Sequence, residues 1–154
     1  MSLPKGTIVP REDLERLIAT RRTTNPADFK GPEPDRGLIR SCIEVARKAP
    51  NHHRTEPAYF YLLNRRQIQG IARINADRVA GPSPTPDLRE RADRKLKVWG
   101  ETPGLLIVTC HTDRDSELVR SKPVVIEEDY AAVCCMTQNL LLLLHNLGVA
   151  VKWS

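Results

Sequence analysis

Two stretches concentrate side chains able to grip an anion or stabilise developing charge. The first is Lys48-Ala49-Pro50-Asn51-His52-His53-Arg54-Thr55-Glu56-Pro57, in which an amine, an amide, two imidazoles, a guanidinium and a hydroxyl crowd a ten-residue hinge. Pro50 ends the preceding helix by denying it a backbone N–H, and Pro57 is expected to hold Glu56 extended. Such groups can donate to a phosphate, a carbonyl or a reduced ring. The second stretch is Arg21-Arg22-Thr23-Thr24-Asn25, halted by Pro26. Two guanidinium forks followed by short hydroxyl donors suit a phosphate clamp. Each stretch also has a plainer reading. The hinge can be a polar helix-to-strand connection, and Arg21-Arg22 can be a basic helix end complementing the helix dipole. On these residues alone both readings stay open.

Other reactive groups point less clearly to chemistry. Cys42, Cys110, Cys134 and Cys135 fall on apolar faces, with no C-x-x-C pair and no histidine at zinc-ligand spacing, so reduced buried thiols and no metal site are expected. Neither G-x-G-x-x-G nor G-x-x-x-x-G-K-[ST] occurs, which leaves a Rossmann or P-loop site unsupported. Asn139 and His145 interrupt an apolar helix and read as satisfied core groups rather than ligands.

The elements that must position these residues follow from apolar spacing. A helix is expected over Pro10 to Arg22 with Leu14, Leu17 and Ile18 on one face, then a Pro- and Gly-rich linker over residues 26 to 37. Asp35 caps a second helix to about Lys48, which buries Leu38, Ile39, Cys42, Ile43 and Ala46. After the hinge come a strand from Tyr59 to Leu63 and an Asn64-capped helix to about Val79. A Pro-rich loop follows, and Asp87 restarts a helix to about Trp99, with Glu90 and Arg94 one turn apart. Leu105 to Cys110 reads as a strand covered on both faces, hence central in its sheet. His111 to Val125 is a polar excursion of no clear structure. Ile126 to about Leu147 then forms the longest helix, apolar nearly all round, as suits a core or dimer helix, and Gly148 stops it. Val149 to Trp153 begins another strand.

With 154 residues, 40% hydrophobic and 28% charged, the chain suits one globular domain with an adequate core. No run of eighteen apolar residues occurs, so no membrane span and a cytoplasmic location are expected. The net charge of +5 is uneven: residues 36 to 97 carry fourteen Lys or Arg against six acids, whereas 98 to 154 carry four against seven. A basic middle suggests an anionic partner, whether a phosphorylated cofactor or nucleic acid, or else only bulk solvent around a soluble face.

The order of elements resembles the FMN-dependent nitroreductase family, in its short single-domain bacterial form. The residues that carry the likeness are Arg21-Arg22-Thr23, the Ala46 to Pro57 segment, Pro103-Gly104-Leu105-Leu106-Ile107-Val108, and Leu147-Gly148 before Lys152-Trp153. The resemblance implies an α+β fold, a nitroreductase-like mixed sheet surrounded by helices, and a homodimer with FMN at the subunit interface. It implies that Arg21, Arg22 and Thr23 contact phosphate and ribityl chain from one subunit. Lys48 and His52 would reach the flavin from the other, and Lys152, Trp153 and Ser154 would pass near it. Residues 1–154 are expected to form one such domain, lacking its C-terminal portion. Some positions depart from the family: Thr23 stands where Ser is common, Asn25 where a basic residue is frequent, and Glu56 and Ala58 flank the second hinge proline where Gln and Trp recur.

The chemistry implied is ping-pong reduction. NAD(P)H gives hydride to the flavin and leaves, and a nitroaromatic or quinone then takes the electrons, so that no catalytic side chain is required. Lys48 and Arg54 are placed to stabilise negative charge on a reduced ring or acceptor. The partners expected are a second copy and a small-molecule acceptor, with neither nucleic acid nor membrane. The alternative is a non-enzymatic basic nucleic-acid-binding protein using Arg65, Arg66, Arg73 and the Arg89 to Lys97 face.

Overall fold

The computed structural model describes residues 9–153. Its elements are α1 (Arg11–Thr20), a 3-10 turn (Pro26–Asp28), α2 (Arg36–Ala46), a second 3-10 turn (His52–Arg54), β1 (Ala58–Leu62), α3 (Arg65–Ala80), α4 (Pro86–Gly100), β2 (Leu106–Cys110), α5 (Glu117–Ser121) and α6 (Val125–Asn146). Helix α6 is the axis. It packs against α1, α2, α5, both strands and the hinge turn, while α3 and α4 form a hairpin packed chiefly on itself.

The caps explain why these helices start where they do. Asp35 accepts from the Leu38 N–H at the head of α2, and Asn64 and Gln67 form a reciprocal capping box at the head of α3. Helix α4 starts one residue earlier than the spacing suggests. Thr85 rather than Asp87 caps it, because Pro86 tolerates the first helical position, where its missing N–H would have no partner. Ser116 caps the short α5, which occupies part of the stretch from which no structure was expected. The end of α6 is closed at Gly148, whose φ of 72° suits a residue without a Cβ.

The main core joins Ile39, Cys42, Ile43 and Ala46 of α2 to Leu140 and Leu144 of α6, with Phe60, Leu62, Leu106, Val149 and Val151 packed around them. Arg36 forks onto the carbonyls of Leu63 and Leu62 at 3.0 and 2.9 Å, which pins the start of α2 to the end of β1. A second cluster holds the hairpin: Ile68, Ala72 and Ala76 of α3 and Ala92 of α4 are buried, the small residues allowing close helix approach.

The fold is α+β, but the sheet is smaller than the mixed sheet expected. Among the described residues it has two strands, antiparallel, with Ala58 opposite Cys110 and Leu62 opposite Leu106. Strand β2 is therefore not central and covered on both faces. It pairs along one edge, and Thr109 and Cys110 are exposed. Val149 to Trp153 forms no strand, although the Val151 carbonyl accepts from the Thr24 N–H at 3.1 Å.

Not all thiols are buried as expected: Cys42 is buried and Cys134 half-buried, while Cys110 and Cys135 are exposed. Burial pushes the Cys42 thiol above its ordinary value. Desolvation also raises Cys110, the neighbouring Thr112 hydroxyl works the other way, and the nearby Asp129 and Cys134 add to the rise. Both thiols therefore stay protonated in the fold at a pH where they would ionise in the open chain. Their contribution to stability is intact below the ordinary thiol range and is lost as pH rises through the raised folded values. Cys110, though exposed, should alkylate slowly with iodoacetamide at mildly alkaline pH, because the thiolate is the nucleophile. Mass-spectrometric labelling across a pH series checks this, and a Cys110 rate equal to that of a free model thiol would count against it.

Candidate functional site

The hinge between α2 and β1 is built on an unusual backbone. His53, Arg54 and Glu56 all have positive φ, at 63°, 55° and 49°, and none is glycine. Glu56 is thus left-handed rather than extended, against the bias that Pro57 imposes. Such residues cost about 1–3 kcal/mol each and persist only where surrounding contacts over-determine them. Those contacts come from α6. Asp129, 1% exposed, accepts from the Thr55 hydroxyl and from the Thr112 hydroxyl, the latter at 2.6 Å. The one Thr55 proton is spent on Asp129, so Thr55 must accept from Asn51. The Asn51 amide nitrogen does reach Thr55 Oγ1 and the His52 carbonyl, both at 3.0 Å, when its oxygen faces the Glu56 N–H at 2.8 Å. One buried carboxylate thus ties the hinge, the segment after β2 and α6 together.

On the outer side of the hinge, His52 Nδ1 lies 3.0 Å from Glu128 Oε2, and the His52 and His53 rings stack with centroids 3.9 Å apart. Arg47 pairs with Glu56 at 3.1 Å, an exposed contact that offsets the carboxylate locally and adds little stability. Lys48 lies beyond α2, which ends at Ala46 instead of running to Lys48. It is exposed, and its N–H closes a turn onto the Val45 carbonyl.

The other stretch sits at the far end of α6. Helix α1 stops at Thr20, two residues short of Arg22, because Arg21 turns extended with ψ of 130°. Thr20 Oγ1 meets His145 Nε2 at 3.1 Å and Asn139 reaches the Ala46 carbonyl at 3.4 Å, so both polar groups have partners, although neither is fully buried. Arg22 Nη1 folds back onto the carbonyls of Ala19 and Arg21 at 2.6 and 3.0 Å, capping α1. Arg21 is half-buried, and no side-chain bond from it occurs among the described residues. The Thr24 to Val151 hydrogen bond sets Arg21-Arg22-Thr23 beside Lys152 and Trp153, both exposed. Ser154 lies outside the described residues.

The anticipated residues therefore fall into two groups rather than one. Glu128, which holds His52, and His145, which holds Thr20, are seventeen residues apart on α6, about 25 Å at the helical rise. One chain does not bring His52 and the Arg21 segment together. Between α1 and α6 lies an open cleft of about 740 Å³ lined by Leu14, Leu17, Val45, Leu142 and Leu143, with Thr20 and His145 at its polar end. Leu14, Ile18 and Val45 are each roughly half exposed, at 48%, 53% and 56%.

Asp129 is the functional residue that the sequence did not single out from its neighbours Glu127 and Glu128. A signal was present. Asp129 falls on the helical stripe of Val125, Ala132, Val133 and Met136, all buried.

The profile of the Nitroreductase family matches residues 18–154. A Bacillus subtilis (strain 168) protein, YfhC, provisionally named an NAD(P)H nitroreductase, is 30% identical over 142 residues, covering 92% of this chain and 68% of its own length. A crystal structure described as a nitroreductase-like family protein from Bacillus cereus superposes with a TM-score of 0.71, covering 98% of this chain and 72% of the other at 23% identity.

Proposed function

Because the chain belongs to the nitroreductase family, a family of oxidoreductases, we propose that it is an FMN-dependent NAD(P)H oxidoreductase that reduces nitroaromatic or quinone-type acceptors in a ping-pong cycle. It would act as a cytoplasmic homodimer, with one nitroreductase-like domain in residues 1–154 and FMN at the subunit interface. Among the described residues no helix is long and apolar enough to cross a membrane.

The observation that carries this reading is the placement of the two residue groups on α6. The Thr24 to Val151 bond sets one phosphate-suited segment beside Lys152 and Trp153, while His52 is held by Glu128, which stands about 25 Å along α6 from His145, the contact of Thr20. That separation is too long for one flavin gripped at both ends by the same chain, and a second chain supplies the missing half. The half-exposed leucine and valine side chains along α1 and α2 are the kind of surface that a second copy covers.

The donor set fits an FMN. Arg21 offers a fork free of local bonds, Thr23 a hydroxyl, and Lys152 a cation on the adjoining segment, which together suit a phosphate and a polyol chain. Bound there, the flavin would supply the hydride and electron transfer that no side chain provides. Arg21 and Thr23 would bind and orient, Trp153 would cover apolar ring surface, and Ser154 is assigned with this segment. Lys48 and His52 of the second chain would place positive charge or a donor where a reduced ring becomes anionic. Arg22 is the weakest of the proposed contacts, since its guanidinium already caps α1.

Absorbance spectroscopy with size-exclusion chromatography tests this. Flavin bands that comigrate with a dimer, and NAD(P)H consumption dependent on a nitroaromatic or quinone, are the expected results. A colourless protein that ignores added FMN, or a monomer that binds it fully, would sink the interface reading.

A further inference from the structure

The flavin reading makes no use of His53 or Glu128, yet the hinge backbone is bent to bring them together with His52. The successive left-handed residues His53 and Arg54 fold the chain back so that the two imidazoles stack, and the same turn lays them against the first turn of α6. One ligating atom each from His52, His53 and Glu128 lies within 4.8 Å of the others. The Nδ1 to Oε2 separation of 3.0 Å is already close to that between two ligands bound to one small ion at about 2.0–2.2 Å.

We propose that His52, His53 and Glu128 form a binding site for a divalent zinc-like ion, with two imidazoles, one carboxylate and a fourth position left to water. Imidazole nitrogen with carboxylate oxygen is the donor set that such borderline-soft ions favour, and three protein ligands leave a position open. The charge around the site permits a cation. Glu127 and the buried Asp129 adjoin Glu128 in the chain, and Arg47 is occupied by Glu56. The His53 ring must swing out of its stack by rotation about χ1 and χ2 so that its lone pair converges on the ion. That is a rearrangement open to a surface side chain. The site does not depend on the flavin reading, although His52 is common to both.

Cobalt(II) titration of the purified protein is the test, because tetrahedral or five-coordinate cobalt gives visible bands at wavelengths clear of flavin absorption. Zinc titration by calorimetry runs alongside. The expected result is one ion per chain, intense cobalt bands, and a melting temperature raised by zinc in the parent protein but not in the variants. Both binding and the thermal shift should be lost in His53→Asn, which tolerates the left-handed backbone, and in Glu128→Gln, which keeps the shape. A pale octahedral spectrum, or zinc binding unchanged in both variants, would overturn the proposal. Since neither readout needs flavin, a protein that is colourless as purified and ignores added FMN, yet develops the cobalt bands, would overturn the flavin reading and support this one.

Discussion

Asp129→Ala is expected to lower the unfolding free energy by about 2–4 kcal/mol, from the loss of two hydrogen bonds to a charged acceptor. The carboxylate is buried and accepts from Thr55 and Thr112, so truncation unties the hinge and the segment after β2 from α6 at once. The loss is not larger because removing a buried charge also relieves its desolvation cost. Asp129→Asn keeps the shape and one oxygen, and should lose about 1 kcal/mol, the value of an ordinary net hydrogen bond. Thr55→Val and Thr112→Val should each recover part of the alanine effect. Of the two threonine variants, Thr55→Val should speed hydrogen exchange over residues 51–56, because of the two Asp129 bonds it is the one that reaches the strained turn. Urea denaturation of the four variants decides the matter. An alanine variant as stable as the parent, or an asparagine variant as damaged as the alanine one, would show that the carboxylate is not the tie.

Arg21→Ala should weaken FMN binding by roughly 10- to 100-fold, the loss of one charge-assisted contact worth about 1.5–3 kcal/mol. Arg22→Ala should leave affinity within a few-fold and shift stability instead. The two guanidiniums are neighbours of the same type, but Arg22 is bonded to the carbonyls of Ala19 and Arg21 while Arg21 is uncommitted. Fluorescence titration of FMN, with thermal melts of each variant, separates the roles. Equal losses of flavin affinity in both variants would mean that Arg22 leaves its cap to meet the ligand, and the assignment of Arg21 as the phosphate fork would fall.

How legible each part was depended on the range of the interaction involved. Helix α3 and its Asn64 cap were visible because a capping box and a 3.6-residue period are local, needing only residues a turn apart. The same holds for Asp35 at α2 and for Gly148 at the end of α6. The left-handed run at His53, Arg54 and Glu56 was not visible. None is glycine, and the proline after Glu56 argues for the opposite conformation. What enforces it is Asp129, more than seventy residues away, acting through Thr55. The covered position expected for Leu105 to Cys110 failed for a related reason. An apolar run states that a strand is fit to be buried, not how many neighbours it receives, and β2 has β1 alone among the described residues.

By itself, then, the sequence determined the long helices, the Asp35 and Asn64 caps, the two donor-rich stretches and, through the order of its motifs, the family to which the chain belongs, because each is written in short-range spacing. Tertiary structure decided that Arg22 is the arginine bonded back onto α1, which of three consecutive acids is buried, and that the two donor-rich stretches lie at opposite ends of α6. Those outcomes rest on contacts between residues distant in the chain. Such contacts follow from how α6 packs against its neighbours, a relation that no local pattern encodes.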